Sequence, residues 1–578
     1  MWLRSSLIFG FVAGLLALAL GSLAAERAPA TGVASAIPVA LPPFIVEEPT
    51  KGPPWRYTEA MGYEVLSRCS DATTKRVVEV HYRLHQLLEE VLPPGLQLKL
   101  SVPRALILYD EELQPAASKE VIARMLRTPA GSVPAPPVSF MGGRGLGGSV
   151  PVPQFSFLPN LRLWDRDAMT VFMIVRREDF NADRLALTAD YISYRLKNRL
   201  PTLPPWFQSG FMSFFGNTTF ESRGLATGPL SWLSAVDTAA VKSDPKTAPP
   251  LLPLDDFFAA RLGPRDPAVS FDPVRRWQAQ AELFVRWGLD SENGARRTAL
   301  WRFVELSSRR GASEALFQEC FALDYAAAQT ALAAYLPQAV RRTLRFRPAR
   351  LKKLPPLALR NASDSELGRI KGDWERLEIA YVKAIAPELA QKYLDQARRT
   401  LQRAYERGAR DSGLFAVMGL CEVDAGEDVA AREYLETAAL LGPMRPRAWF
   451  ELARLRLAEF RTLAVQTENR ITPEQAAAVL RPLFTARESD PPLPEVYELI
   501  AEVWENCAVA PTRGHLLALD EGVRFFPRQS SLVYRAAELN LRNGFQPAAI
   551  ELVTLGLNGA SDDATRQRFL LLQDQLAK

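Results

Sequence analysis

Apolar residues recur every three or four positions through most of this chain and alternate in only a few short stretches. The alternation of Tyr63-Glu64-Val65-Leu66-Ser67 predicts a strand, and the spacing of Val78, Tyr82, Leu87, Leu88 and Val91 predicts a helix over 73–92. Two apolar runs, 104–109 and 169–175, read as buried strands bounded by polar residues. From Asn181 the period becomes helical. Leu185, Ala189, Ile192, Leu196 and Leu200 mark one helix face, which Pro201, Pro204 and Pro205 end. Trp206 opens an aromatic helix over 206–215, and further helices are expected over 274–336.

Beyond Leu367 the helical period is nearly continuous and repeats itself. With Ser412 as the first position of a 34-residue unit, Phe415, Met418, Gly419, Ala431, Leu435, Ala438 and Pro443 fall at positions 4, 7, 8, 20, 24, 27 and 32. That spacing resembles the tetratricopeptide repeat (TPR). Trp449, Leu452 and Ala453 reoccupy positions 4, 7 and 8, and so do Tyr497, Ile500 and Ala501 after an insertion containing Thr472-Pro473. A last copy places Ala537 at 8, Ala549 at 20, Val553 at 24 and Gly556 at 27. Small residues at 8, 20 and 27 let paired helices approach, and large ones at 4 and 24 fill the gaps between layers. A single hairpin cannot bury its faces, so the copies must stack. Four or five hairpins are expected, the first and third of them longer than 34 residues. The resemblance implies a protein or peptide ligand.

Composition narrows the picture further. Hydrophobic residues make up 48% and charged ones 23% of the 578 residues, an ordinary globular balance. A net charge of +5, from 70 basic and 65 acidic side chains, is too small a bias to argue for nucleic acid. Arg4, the apolar run 7–20 and Ser22-Leu23-Ala24 predict a signal peptide cleaved before Ala25, and hence export to the periplasm or beyond. The run is short of the roughly 20 residues that span a bilayer, so no transmembrane span is expected in the mature chain. Residues 25–54 form a proline- and alanine-rich leader. A second composition break lies at 341–366. Arg341, Arg342, Arg345, Arg347, Arg350, Lys352 and Lys353 crowd there before Pro355-Pro356, and Leu344 and Phe346 alternate with arginines as on an edge strand. This stretch reads as a linker, with contact to an anionic envelope surface as the functional alternative. Cys69, Cys320, Cys421 and Cys507 show no short spacing and are expected as buried free thiols.

Candidate chemistry is sparse. Gly143, Gly145 and Gly148 satisfy G-x-G-x-x-G, but prolines on both sides forbid the helix that a phosphate site requires, so a surface loop is expected. His81 and His85 lie one helical turn apart, followed by Glu89 and Glu90, with no third metal ligand to nominate. The segment Pro204-Pro205-Trp206-Phe207-Gln208-Ser209-Gly210-Phe211-Met212 resembles the P-x-W-x-x-E-G-x-A stretch of the gluzincin-like "peptidase MA" families of exported bacterial proteins, which are often fused to TPR arrays. Ala189-Asp190-Tyr191-Ile192-Ser193 then stands where those families carry H-E-x-x-H. The aromatic helices around Trp277, Phe284, Trp287 and Trp301 extend the resemblance across 55–336.

The resemblance implies a peptidase frame without its chemistry. Ala189 and Ser193 replace the histidines, Ser209 replaces the ligand glutamate, and Asp190 stands in for the general base. A methyl group and neutral hydroxyls do not hold zinc or acidify its water. The fold expected is an α+β domain of degenerate gluzincin type over 55–340, followed by an all-α TPR-type superhelical array over 367–578. The function expected is a non-catalytic exported scaffold that uses no cofactor. The alternatives are an exported hydrolase of peptide or envelope polymer with an unrecognised site, and an envelope-binding module using the basic linker.

Overall fold

The computed structural model describes residues 53–60, 62–92, 104–110, 161–175, 196, 201–221, 224–262, 272–291, 294–348, 351–385, 387–464, 470–560 and 562–577. The leading segment of the chain and the glycine-rich stretch 141–148 lie outside these residues.

The alternating stretch is a strand. β1 (Arg56–Ala60) turns through Gly62, at a φ of 70°, into β2 (Tyr63–Ser67). β3 (Arg104–Asp110) runs parallel to β2, and β5 (Met169–Val175) runs parallel to β3. β4 (Leu161–Trp164) is a short edge strand hydrogen-bonded antiparallel to β5. Because neighbours in a strand face opposite ways, Val65, Leu106 and Leu108 join the core on one side, with Val77, Val78 and Leu87 of α1 (Asp71–Glu89). Leu66, Ala105 and Ile107 face the other side.

The middle of the chain is built on aromatic rings. Pro204-Pro205 open α2 (Pro205–Gly216), where a proline in the first turn removes a donor that would be unpaired anyway. Trp206 stacks on Phe303 at 5.6 Å and meets Phe284 edge-on at 5.2 Å. A hairpin of β6 (Thr218–Glu221) and β7 (Gly224–Thr227) follows, then α3 (Ala235–Ser243) and α4 (Leu254–Phe258). Next come α5 (Pro273–Leu289), α6 (Ala295–Arg310), α7 (Glu314–Phe321) and α8 (Tyr325–Ala339). Asp272, Ser313 and Asp324 cap α5, α7 and α8 by accepting backbone N–H bonds.

The basic stretch expected as a linker is part of both sheets. β8 (Leu344–Phe346) pairs with β7, its Leu344 and Phe346 buried and Arg345 exposed, as the alternation implied. β9 (Arg360–Asn361) pairs with β1 as the sixth strand of the larger sheet.

The repeats form five helix hairpins among the described residues: α9 (Asp364–Ile385) with α10 (Ala390–Glu406), α11 (Ser412–Ala425) with α12 (Asp428–Leu441), α13 (Pro446–Ala464) with α14 (Pro473–Arg487), α15 (Pro494–Asn506) with α16 (Arg513–Phe525), and α17 (Ser530–Arg542) with α18 (Gln546–Gly559). A closing helix, α19 (Asp563–Leu576), covers the last pair. The first helices of successive hairpins touch one another, and each second helix packs on the hairpin after it, which is the stacking of a TPR superhelix. The described residues form one compact unit. Ile370, Trp374 and Leu377 of α9 cover Tyr57, Leu66, Ala105 and Ile107, so the first repeat helix is also the second layer of the sheet.

Glycines at the predicted small positions let the helices close. A Cβ on Gly419 would lie 2.6 Å from Leu435 Cγ, and one on Gly556 would lie 2.2 Å from the Phe569 ring. Gly419→Leu is therefore expected to destabilise the full chain by about 1–3 kcal/mol. A substitution at the exposed Glu427 should stay within about 0.5 kcal/mol. Denaturant midpoints check the pair, and equal midpoints would mean the repeat register is wrong.

Candidate functional site

Three of the four peptidase-motif positions, Ala189, Asp190 and Ser193, lie outside the described residues. Ser209 is half-buried on α2, beside Gly210, where α2 and α5 meet. His81 and His85 are buried, their rings 4.9 Å apart and 5.2 and 5.8 Å from the Tyr63 ring, with the Arg104 guanidinium 4.4 Å above that ring. They belong to an aromatic cluster against the sheet, while Glu89 and Glu90 are exposed. Among the described residues no three His, Cys, Asp or Glu side chains gather as metal ligands would. Cys69, Cys421 and Cys507 are buried and Cys320 is half-buried, each as a thiol. Burial pushes the Cys421 thiol up to about 12.

The arginines of the basic stretch are largely engaged within the chain. Arg341 donates to the Lys242 carbonyl, Arg342 lies 3.2 Å from Asp290, and Arg345 lies 3.5 Å from Glu221. Arg347 is exposed.

The densest buried charge lies elsewhere. Between β4 and β5 the chain reverses over Asp165-Arg166-Asp167-Ala168, closed by the Asp165 N–H donating to the Ala168 carbonyl at 2.8 Å. This tip reaches onto the first helices of the repeats. Asp165 pairs with Arg376 of α9, with Arg447 of α13 and with Arg445 just before α13. Asp167, fully buried, lies 2.7 Å from Arg445 and accepts the Arg447 backbone N–H at 2.8 Å. Within the repeats, Arg376 bonds Asp373 at 2.7 Å and also Asp424 of α11. Arg445 bonds Asp373 at 2.8 Å, and Arg447 bonds Asp424 at 2.7 Å. Arg166, between the two aspartates, sits 5.2 Å over the Phe450 ring and within 3.9 Å of Glu451 and 3.7 Å of Glu495.

In the 34-residue register Arg447 and Glu495 occupy position 2 of their units and Phe450 occupies position 5. These positions belong to the face that the first helices share, the concave face in such superhelices. Burial alone would push the Asp165 carboxyl up. Arg447, Arg376 and Arg445 outweigh it and hold that carboxyl well below the ordinary aspartate value. Asp373 is likewise held low against its burial, by Arg376 and Arg445. Chemically, the arrangement binds carboxylates spaced two residues apart. The sequence carried its parts, an Asp-x-Asp before a predicted strand and an Arg-x-Arg opening a repeat helix. A pairing across 280 residues leaves no local pattern to read.

A second buried acid lies on another face of α9. Glu378 is pushed well above the ordinary glutamate value by burial and then by the charge of Glu375, which itself pairs with Lys371 at 3.0 Å. The two kinds of acid titrate with opposite signs. Glu378 binds a proton more readily folded than unfolded, so its ionisation works against the fold, and it favours stability as the pH falls toward the unfolded value near 4.5. Asp165 and Asp373 bind protons less readily when folded. Their contribution is complete above the unfolded value of 3.8 and declines as the pH falls below it. Stability is therefore expected to rise from neutral pH to about 4.5 and fall steeply below about 3.8. Glu378→Gln should raise the melting temperature near pH 7.5 and leave it unchanged near pH 4.5. Melting curves across that range check this, and a Gln variant that gains nothing at the higher pH contradicts it.

No protein-family model matches the chain, and no curated protein matches it. Solved structures that resemble it include YrrB, titled a TPR protein with an unusual peptide-binding site, at 16% identity over 34% of this chain and 91% of that one, with a TM-score of 0.25. MamA matches at 12% identity over 33% of this chain and 95% of its own, with a TM-score of 0.23. Pseudomonas aeruginosa PilF matches at 16% identity over 36% and 85%, with a TM-score of 0.24. The assignment of a TPR-type array therefore rests on the hairpin order, the shared first-helix face and the glycine contacts described above.

Proposed function

We propose that this chain is an exported, non-catalytic scaffold that holds protein or peptide ligands on the first-helix face of its repeats. The observation that most supports this reading is that the face already holds a polypeptide segment, Asp165-Arg166-Asp167, side chain by side chain. Further along the same face, Glu498, Glu502 and Glu505 of α15 remain partly exposed beside Arg461 and Arg535. In this reading the middle domain is a peptidase-like frame without ligands, because Ala189, Ser193 and Ser209 offer neither nitrogen nor carboxylate to zinc. Arg4 and the apolar run 7–20 support export to the periplasm or beyond in this reading.

The purified full chain is expected to bind a subset of a random peptide array, to lose that binding when Glu502 and Glu505 are changed to lysine, and to contain no stoichiometric zinc. An array without a single binding peptide would overturn the scaffold. One tightly held zinc, or proteolysis sensitive to chelator, would overturn the non-catalytic half.

A further inference from the structure

We propose that the β4–β5 turn is an internal ligand that closes the first part of the repeat face, and that an acidic segment of Asp-x-Asp type from a partner protein displaces it. This rests on the scaffold reading and names the chemistry of the ligand taken by the first part of that face. Three observations carry it.

The first is that the arginines are held without the turn. Arg376 keeps Asp373 and Asp424, Arg445 keeps Asp373, and Arg447 keeps Asp424, all within the repeats. The site is thus preorganised, and removal of Asp165 and Asp167 strands no guanidinium without a carboxylate. On the repeat side Arg376, Arg445 and Arg447 face Asp373, Asp424 and Glu451, so the three guanidiniums stay in place for an incoming acid. The second is that the turn is held at its tip by polar recognition. Asp165, Arg166 and Asp167 meet, in order, arginines, a Phe450–Glu451–Glu495 patch and Arg445 with a backbone N–H. Contacts of that kind exchange with a competing peptide offering the same groups. The third is position. β4 is the edge strand of its sheet and pairs with β5 over only four residues. Its turn can leave the repeats without breaking the pairing of β5 with β3.

The probe is a fluorescent peptide carrying residues 161–169 of this chain, Leu-Arg-Leu-Trp-Asp-Arg-Asp-Ala-Met, and binding is read by anisotropy on the full chain. Asp165→Asn with Asp167→Asn should bind it at least about tenfold more tightly than the unchanged protein, an affinity that falls as salt rises. Adding Arg447→Ala should remove the gain, and a peptide with asparagine at both aspartates should not bind. A folded double variant that binds no better overturns the proposal.

Hydrogen exchange on the unchanged protein tests it without any variant. The Asp165 and Arg447 amides, bonded to Ala168 O and Asp167, should exchange by local opening, well ahead of the α11 amides around Met418. Equal protection would make the turn a permanent part of the core and overturn the proposal. An array whose other peptides bind but in which no acidic peptide competes with the Asp-Arg-Asp probe would sink this inference alone. An array that binds nothing sinks the scaffold reading beneath it.

Discussion

Arg376→Ala is expected to lower the stability of the full chain by about 3–5 kcal/mol, the loss seen when one partner of a buried ionic group is removed. Arg376 is fully buried and bonds Asp373 on its own helix, Asp424 on α11 and Asp165 on the sheet. Its removal leaves the buried Asp165 and Asp373 carboxylates, and the partly exposed Asp424, with less positive charge around them. The comparison is Arg302→Ala, which breaks a 2.6 Å pair with Glu319 whose side chains are both about half exposed. Solvent screens that pair, and its loss should cost less than about 1 kcal/mol. Denaturant titrations followed by tryptophan fluorescence give both numbers. Similar midpoints for the two variants would show that the junction between sheet and repeats does not depend on this arginine.

The second large effect is expected from a single methyl group. A Cβ on Gly210 would lie 2.2 Å from the Ala281 carbonyl oxygen and 2.5 Å from its carbon, both backbone atoms of α5. A side chain can swing aside, but a helix backbone cannot. α2 and α5 must separate, and Trp206, stacked on Phe303 and edge-on to Phe284, must move with them. Gly210→Ala should fall at or above the upper end of the usual overpacking cost of about 1–3 kcal/mol. Gly216, at the other end of α2, has nothing within 4 Å of its notional Cβ. There the same substitution should stabilise by about 0.4–1 kcal/mol, by restricting the unfolded chain. Opposite signs for two glycines on one helix are a demanding outcome. If Gly210→Ala melts with or above the unchanged protein, α2 and α5 are not in this contact.

Much of this protein could be read along the chain. Repeat positions such as Gly419, Leu435 and Ala438 announce their helices and their pairing together, because a hairpin's contacts lie within one 34-residue unit. The strands expected at 63–67, 104–109 and 169–175 and the aromatic helix after Pro204-Pro205 were equally legible, since alternation, apolar runs and proline stops are local properties. What the sequence could not place was decided by pairings with no local signature. β4 and β9 are four and two residues long and exist only because β5 and β1 offer unpaired edges. Residues 341–366 have the composition of a linker, yet their strands complete two sheets. α9 has the spacing of a repeat helix, and only the tertiary structure shows Trp374 serving as the roof of a sheet that begins more than 300 residues earlier. The carboxylates of Asp165 and Asp167 look like an exposed turn until folding brings Arg376, Arg445 and Arg447 around them. Charge in a sequence is ambiguous in this way, because an ionised side chain favours water equally at any position. Only the assembled fold determines which few are withdrawn from water and must find partners.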